Sequence, residues 1–156
     1  MYLLFAFLCI SSSSCSQDKE RSNNDDISGL EKAEVVSVSV SGEATNYNFS
    51  VGISSPDEGC NQYANWWEVI TEDGVLLYRR ILAHSHVDEQ PFVRSGGVVP
   101  IDSNQVVFIR AHMNTSGYGT IVYKGSVSNG FTQDTLDSNF ASGLANQDPQ
   151  PTNCAF

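Results

Sequence analysis

Lysine is scarce in this chain, with Lys19, Lys32 and Lys124 alone among 156 residues. Lys and Arg together number 8 against 18 acidic side chains, which leaves a formal net charge of -10. Such a surface excludes nucleic acid as a partner, because phosphate binding needs clustered cations. It is also repelled by anionic lipid, so any hold on a membrane has to be covalent. No apolar run approaches the roughly 18 residues of a membrane-spanning helix; the longest covers positions 2–10 (YLLFAFLCI). Helical periodicity is missing throughout the body of the chain. The sequence contains no G-x-S-x-G, no phosphate-binding glycine loop, no H-E-x-x-H and no C-x-x-C, so the commonest catalytic signatures are absent. What it does have is 40% hydrophobic and 17% charged residues, the balance of a folded globular domain.

The apolar run behind Met1 has the length of a signal-peptide core, and four serines then lead to Cys15. Small residues directly before a cysteine resemble the lipobox of Gram-negative bacterial lipoproteins. That resemblance implies a signal peptide over residues 1–15 and a lipidated Cys15 that begins the mature chain. The n-region departs from the pattern in having no Lys or Arg, and an ordinary signal peptide with a chance cysteine is the other reading. Residues 16–33 are polar and charged, too poor in apolar surface to fold, and read as a disordered acidic tether. Its first residues, SQDKE, are similar to the acidic export signals of surface lipoproteins. The expected location is the cell envelope, anchored by lipid to the outer membrane and exposed at the surface.

Cys9 would leave with the signal and Cys15 would carry lipid. Cys60 and Cys154 remain, and in an oxidising compartment an even pair is expected to form a disulfide. Residues 34–156 are expected to form one domain. Period-two alternation recurs there: Val36, Val38 and Val40 against serines, then Tyr47, Phe49, Val51 and Ile53 against Asn48, Ser50 and Gly52. A turn is expected at Ser41-Gly42 and another at Glu72-Asp73-Gly74, where Asp-Gly suits a tight hairpin. Strands are expected over 75–83, 106–113 and 120–127, with at most a short edge strand in the Pro- and Gly-broken 91–100 region. The segment after Gly130 reads as turn-rich. The whole is an all-β antiparallel sandwich, and it resembles an immunoglobulin or fibronectin type III domain in architecture; a small jelly roll or barrel is the alternative.

All three histidines and four of the five arginines lie between Arg79 and His112. Alternation assigns Val75, Leu77, Ile81, Ala83 and Val87 to the core, with Arg79 the misfit, and Tyr78, Arg80, His84 and His86 outward. On the later strand it places Val107, Ile109, Ala111 and Met113 inward and Phe108, Arg110 and His112 outward. Three readings follow. In one, the outer face is a binding platform: Trp66, Tyr78 and Phe108 stack on a sugar or a protein partner, and Arg80, Arg94 and Arg110 take its anionic groups. In the second, His84, His86 and His112, with Glu89 as an oxygen ligand, hold a divalent transition metal such as zinc. His-x-His followed by Glu89, Gly96 and a later His resembles the cupin metal motif, with tighter spacing than that family uses. In the third, these groups are purely structural. The platform is the preferred reading: an exported, lipid-anchored module that binds carbohydrate or an envelope protein, has no resident cofactor, and is more readily a binder than an enzyme. On that reading Arg80→Ala or Arg110→Ala weakens binding and leaves the fold intact.

Overall fold

The computed structural model describes residues 32–155. The expected signal peptide, Cys15 and the tether up to residue 31 lie outside the described residues. Two antiparallel sheets face each other. The smaller has the order β1 (Glu34–Glu43), β2 (Asn46–Ser54), β5 (Phe92–Val99). The larger runs β4 (Leu76–Ile81), β3 (Ala64–Thr71), β6 (Val107–Met113), β8 (Ile121–Ser126), β9 (Gly130–Thr135), with the short β7 (Gly117–Tyr118) beside β6. The all-β sandwich expected from alternation is present.

Each inner face is made by the side chains that alternation put there. Tyr47, Phe49, Val51 and Ile53 of β2 meet Trp67, Val69, Val107, Ile109, Ala111 and Met113 of β3 and β6 in one buried cluster. Burial at this density makes large-to-small changes costly. Trp67→Ala removes a fully buried indole and is expected to cost about 3–5 kcal/mol in a urea titration.

Several expectations shift in register. A β-bulge between Val35 and Ser37 puts Val35 inside and Val36 outside before Val38 and Val40 return to the core. β1 continues through Ser41-Gly42, and the chain reverses at Ala44-Thr45 instead, with Thr45 in the left-handed region. The Glu72–Gly74 turn is where it was expected, Gly74 at φ 78°. β5 is a full strand. Gly96 and Gly97 read as breakers, yet each is a close approach: a Cβ on Gly96 would lie 2.5 Å from the Tyr78 hydroxyl, and one on Gly97 2.7 Å from the Tyr47 carbonyl oxygen. β9 extends past Gly130, where only turns were expected.

Parity on β4 is the reverse of the expectation from Tyr78 onward, while Leu77 keeps its expected inward side. Trp67 pairs with Arg80 and Glu68 with Arg79, so Arg79 and Ile81 share the outer face with Glu68 and Trp66. Tyr78 instead points inward against Trp67, ring centroids 5.5 Å apart. Arg80, on the same side, reaches across the open edge of the sandwich to donate to the Ser95 carbonyl of β5 at 3.1 Å. The hairpin register, set by a bulge between Val69 and Ile70, outweighs the apolar pattern of a six-residue strand.

Candidate functional site

The outer face of the large sheet gathers Trp66, Glu68, Arg79, Phe108, Arg110 and His112, close to the set the sequence placed there. It is not exposed. Glu68 is fully buried, and Arg79, Phe108, Arg110 and His112 retain at most 8% of their accessible surface. The chain's own C-terminal segment covers them. Ile70, Phe108 and Val122 form a second apolar cluster, closed by Leu76, Leu136, Phe140 and Leu144. Arg79 Nε donates to Glu68 Oε2 and Arg110 Nε to Glu68 Oε1, both at 2.8 Å. Two guanidinium groups on one carboxylate leave a buried excess of one positive charge. The covering segment offsets it with carbonyl oxygens: Leu144, Gln147 and Pro149 accept from Arg79, and Phe140 and Ala141 from Arg110. The expected platform is therefore corrected. Trp66, Phe108 and Arg110 form the floor under a strap, Tyr78 lies in the inner core, and Arg80 bridges the sheets at a distant edge.

His112 belongs to this floor. Its ring stacks on Trp66 at 3.8 Å, meets Tyr118 edge-on at 4.7 Å, and its Nδ1 lies 2.7 Å from Asn65 Oδ1. Burial lowers its pKa to about 3, helped by the positive charges of Arg79, Arg110 and Lys32. An imidazole that titrates near 6.5 in the unfolded chain and near 3 in the folded one takes up its proton on unfolding. Stability is therefore undiminished above pH 6.5 and falls as pH drops from there toward 3, by about 1.4 kcal/mol per pH unit for this group. Urea midpoints at pH 7 and 4.5 measure the slope, and His112→Gln is expected to remove that part of it.

A second group of polar side chains lies at one end of the sandwich, where the 55–62 and 84–90 loops meet. Asp57 organises it. Its carboxylate accepts from Ser55 Oγ at 2.7 Å, the Ala64 amide at 2.9 Å, the His86 amide at 2.8 Å and Ser85 Oγ at 3.4 Å. Gln90 adds a second tie, accepting from the Ser55 amide and donating to the His86 carbonyl. The C-terminal end closes the arrangement. The Ala155 amide donates to the Ala83 carbonyl at 2.7 Å, and Cys154 is bonded to Cys60, the pairing expected of the two cysteines left in the domain.

Between these ties lies an open cleft of about 490 Å³, lined by His84, Ser85, His86, Val87, Asp88, Glu89 and Ala155. His86 is 3% exposed and stacks on Phe92 at 3.7 Å. Among the described residues, neither of its ring nitrogens has a hydrogen-bond partner. Desolvation first, then Arg94 and His84, lower its pKa to about 4, so the ring is neutral near pH 7. The His84 ring lies beside it, centroids 4.4 Å apart. Arg94 grips Glu89 through Nη1–Oε1 at 3.2 Å and Nη2–Oε2 at 2.7 Å, and this bidentate bond holds Glu89 below the usual carboxylate range.

Of the four residues proposed as metal ligands, His84, His86 and Glu89 come to this cleft and His112 stays under the strap. Among the described residues no group of three or more His, Cys, Asp and Glu side chains is placed to hold a metal ion. Asp57, the organiser, was legible in the sequence only as a loop carboxylate beside Glu58. Asp57→Asn, which removes one acceptor oxygen, is expected to cost about 2 kcal/mol and to speed amide hydrogen exchange at His86. Unchanged protection there would show that Gln90 alone holds the loop.

No protein-family model matches the chain. Over 91 residues it is 38% identical to a Halomicrobium mukohataei protein named "Putative lipoprotein". The match covers 58% of this chain and 45% of that protein, so the chain spans under half the length of the relative. Among solved structures, a superoxide reductase (neelaredoxin) from Ignicoccus hospitalis superposes with a TM-score of 0.36 at 14% identity, over 76% of this chain and 93% of that one. A substituted form of the same protein gives 0.38 at 15% identity, over 70% and 90%. Likeness this slight transfers neither substrate nor metal.

Proposed function

We propose that this protein is an exported, lipid-anchored binding module of the cell envelope, and that it works through the cleft at residues 84–89. The observation that carries the site is His86. A neutral imidazole that is buried, unpartnered and part of a cleft wall pays a desolvation cost that nothing within the described residues offsets. A ligand whose binding opened the wall at His86 would supply the missing hydrogen bonds. The anchor reading draws on Cys15 behind its apolar run and on the lipoprotein name of the partial relative. A carbohydrate or an envelope protein segment is the ligand class in view, since the cleft combines an apolar wall with hydroxyl, imidazole and carboxylate groups.

Two experiments test the two halves. Fatty-acid labelling in an exporting bacterial host is expected to mark the wild-type protein and leave Cys15→Ser unlabelled and out of the membrane fraction. A labelled Cys15→Ser protein would refute the anchor. For the cleft, NMR titration with a panel of oligosaccharides and cell-wall peptides is expected to perturb residues 84–89. Perturbations confined to the sheet faces would move the site elsewhere.

A further inference from the structure

We infer that the Cys60–Cys154 disulfide gates this cleft. While it is closed, the chain's C-terminal end occupies the backbone edge at Ala83–His84; its reduction by a dithiol frees that edge for an extended, basic peptide segment. The inference deepens the proposed function and rests on the cleft being the binding site. Ala155 lines the cleft and forms a parallel β-bridge with His84, its amide donating to the Ala83 carbonyl at 2.7 Å. The C-terminal end thus sits where an added strand would pair. Its own hold is slight. Among the described residues Pro151, Thr152 and Asn153 make no hydrogen bond, Gln150 bonds to the strap's own Ala145 and Gln147 carbonyls, and nothing from Gln150 to Ala155 is buried. One backbone hydrogen bond contributes less than the conformational entropy lost in ordering the residues from Pro151 to Ala155. The pairing persists because the disulfide fixes Cys154 one residue away, which makes it intramolecular at a high effective concentration. Breaking the disulfide removes that advantage, and the end leaves.

The other cysteine stays in place. Its turn is held without the disulfide: the Glu58 amide donates to the Gln62 carbonyl at 2.8 Å, the Gln62 amide to the Gly59 carbonyl at 3.1 Å, and Asn114 Nδ2 to the Cys60 and Asn61 carbonyls at 3.2 Å. Asp57 ties the same loop to Ala64 and His86. Both cysteines are half-buried, and an open hollow of about 250 Å³, lined by Glu58, Gly59, Cys60 and Asn61, leaves room beside Cys60 for an attacking thiolate. That thiolate bonds to Cys60 Sγ, the Cys60–Cys154 bond breaks, and Cys154 departs as a thiolate that takes up a proton. The second thiol of the dithiol then displaces Cys60 and closes the reductant's own disulfide, so two electrons and two protons pass to the pair. The ligand class follows from what is uncovered. The freed Ala83 carbonyl accepts a ligand amide, Val87 offers apolar contact, and Asp88 and Glu89, in a protein of net charge -10, favour lysine or arginine side chains.

The test uses the exported full chain, oxidised and after dithiothreitol, with the end-capped peptide Lys-Val-Lys-Val-Lys as probe. On reduction the Ala155 amide is expected to lose at least ~10-fold of its protection from hydrogen exchange, while the Glu58 and Gln62 amides keep theirs. The peptide is expected to shift the amides of residues 83–87 in the reduced protein with an affinity at least ~10-fold above that of the oxidised protein. Protected β3 and β6 amides show that the reduced protein is folded. Should reduction unfold it, Ala155→Pro decides: that variant keeps the disulfide, cannot donate to the Ala83 carbonyl, and is expected to bind the peptide while oxidised. Unchanged Ala155 protection in folded, reduced protein, or peptide affinity no higher in the reduced protein and in Ala155→Pro than in the oxidised wild type, would overturn the inference. Were oligosaccharides or cell-wall peptides still to perturb residues 84–89 in that case, the cleft reading would stand and only its gate would fall.

Discussion

Arg110→Ala is expected to lower the unfolding free energy by about 3–5 kcal/mol, the cost of breaking a buried ion pair on one side. The variant removes the bond to Glu68 Oε1 and the donors to the Phe140 and Ala141 carbonyls, and it uncovers the face of Tyr118, over which the guanidinium carbon lies at 3.4 Å. Glu68, fully buried, keeps Arg79 alone. Against a typical total of about 5–15 kcal/mol the loss is a large share, and the urea midpoint should fall accordingly. Arg80→Ala is the control. Its guanidinium is exposed and, among the described residues, donates to the Ser95 and Ile81 carbonyls; surface changes of this kind stay within about 0.5 kcal/mol. Urea titrations of the two variants side by side decide the matter; equal midpoints would mean the triad under the strap contributes nothing. Glu68→Gln should be as severe as Arg110→Ala, since it leaves two guanidinium groups buried without an anion.

Removing the disulfide is the second large effect. Cys60 and Cys154 are 94 residues apart in sequence, and a loop of that size restricts the unfolded chain by about 4–5 kcal/mol in the chain-entropy account. The double variant Cys60→Ser, Cys154→Ser is expected to melt roughly 15 °C below the oxidised protein. The native state is touched too. The bridge pins the end of the strap beside the 84–90 loop, where Ala155 pairs with His84. Hydrogen exchange should therefore rise at Leu144, Gln147 and His86 while β3 and β6 remain protected. Melting curves that coincide with and without a reductant, or two free thiols in unreduced native protein, would remove this account.

The two effects show why the arginine-rich face misled. Outward projection was correct for Phe108, Arg110 and His112, because β6 is a seven-residue strand with unbroken alternation. Exposure does not follow from projection. Which surface covers a sheet face depends on where a distant segment returns, and Leu136, Phe140 and Leu144, although four residues apart, stand in a polar, turn-rich segment that does not declare itself a lid. Past Leu77 on β4 even projection failed, because hairpin register overrode a short ambiguous pattern. The His84–Glu89 cleft was half legible: His-x-His put two rings on one side, while Asp57 and the chain terminus, which complete the site, are remote in sequence.

By itself the sequence determined the all-β class of the fold. The apolar run before Cys15, the charge of -10, the paired cysteines and the period-two segments are local or compositional facts, and local chemistry acts the same way whatever the fold. Only the tertiary structure decided which charged side chains are buried and which line a cleft. That choice turns on non-local contacts: Glu68 with Arg79 and Arg110, the strap carbonyls above them, and Asp57 across to His86. A buried charge is stable only where all its partners arrive together, and no single stretch of chain carries that information.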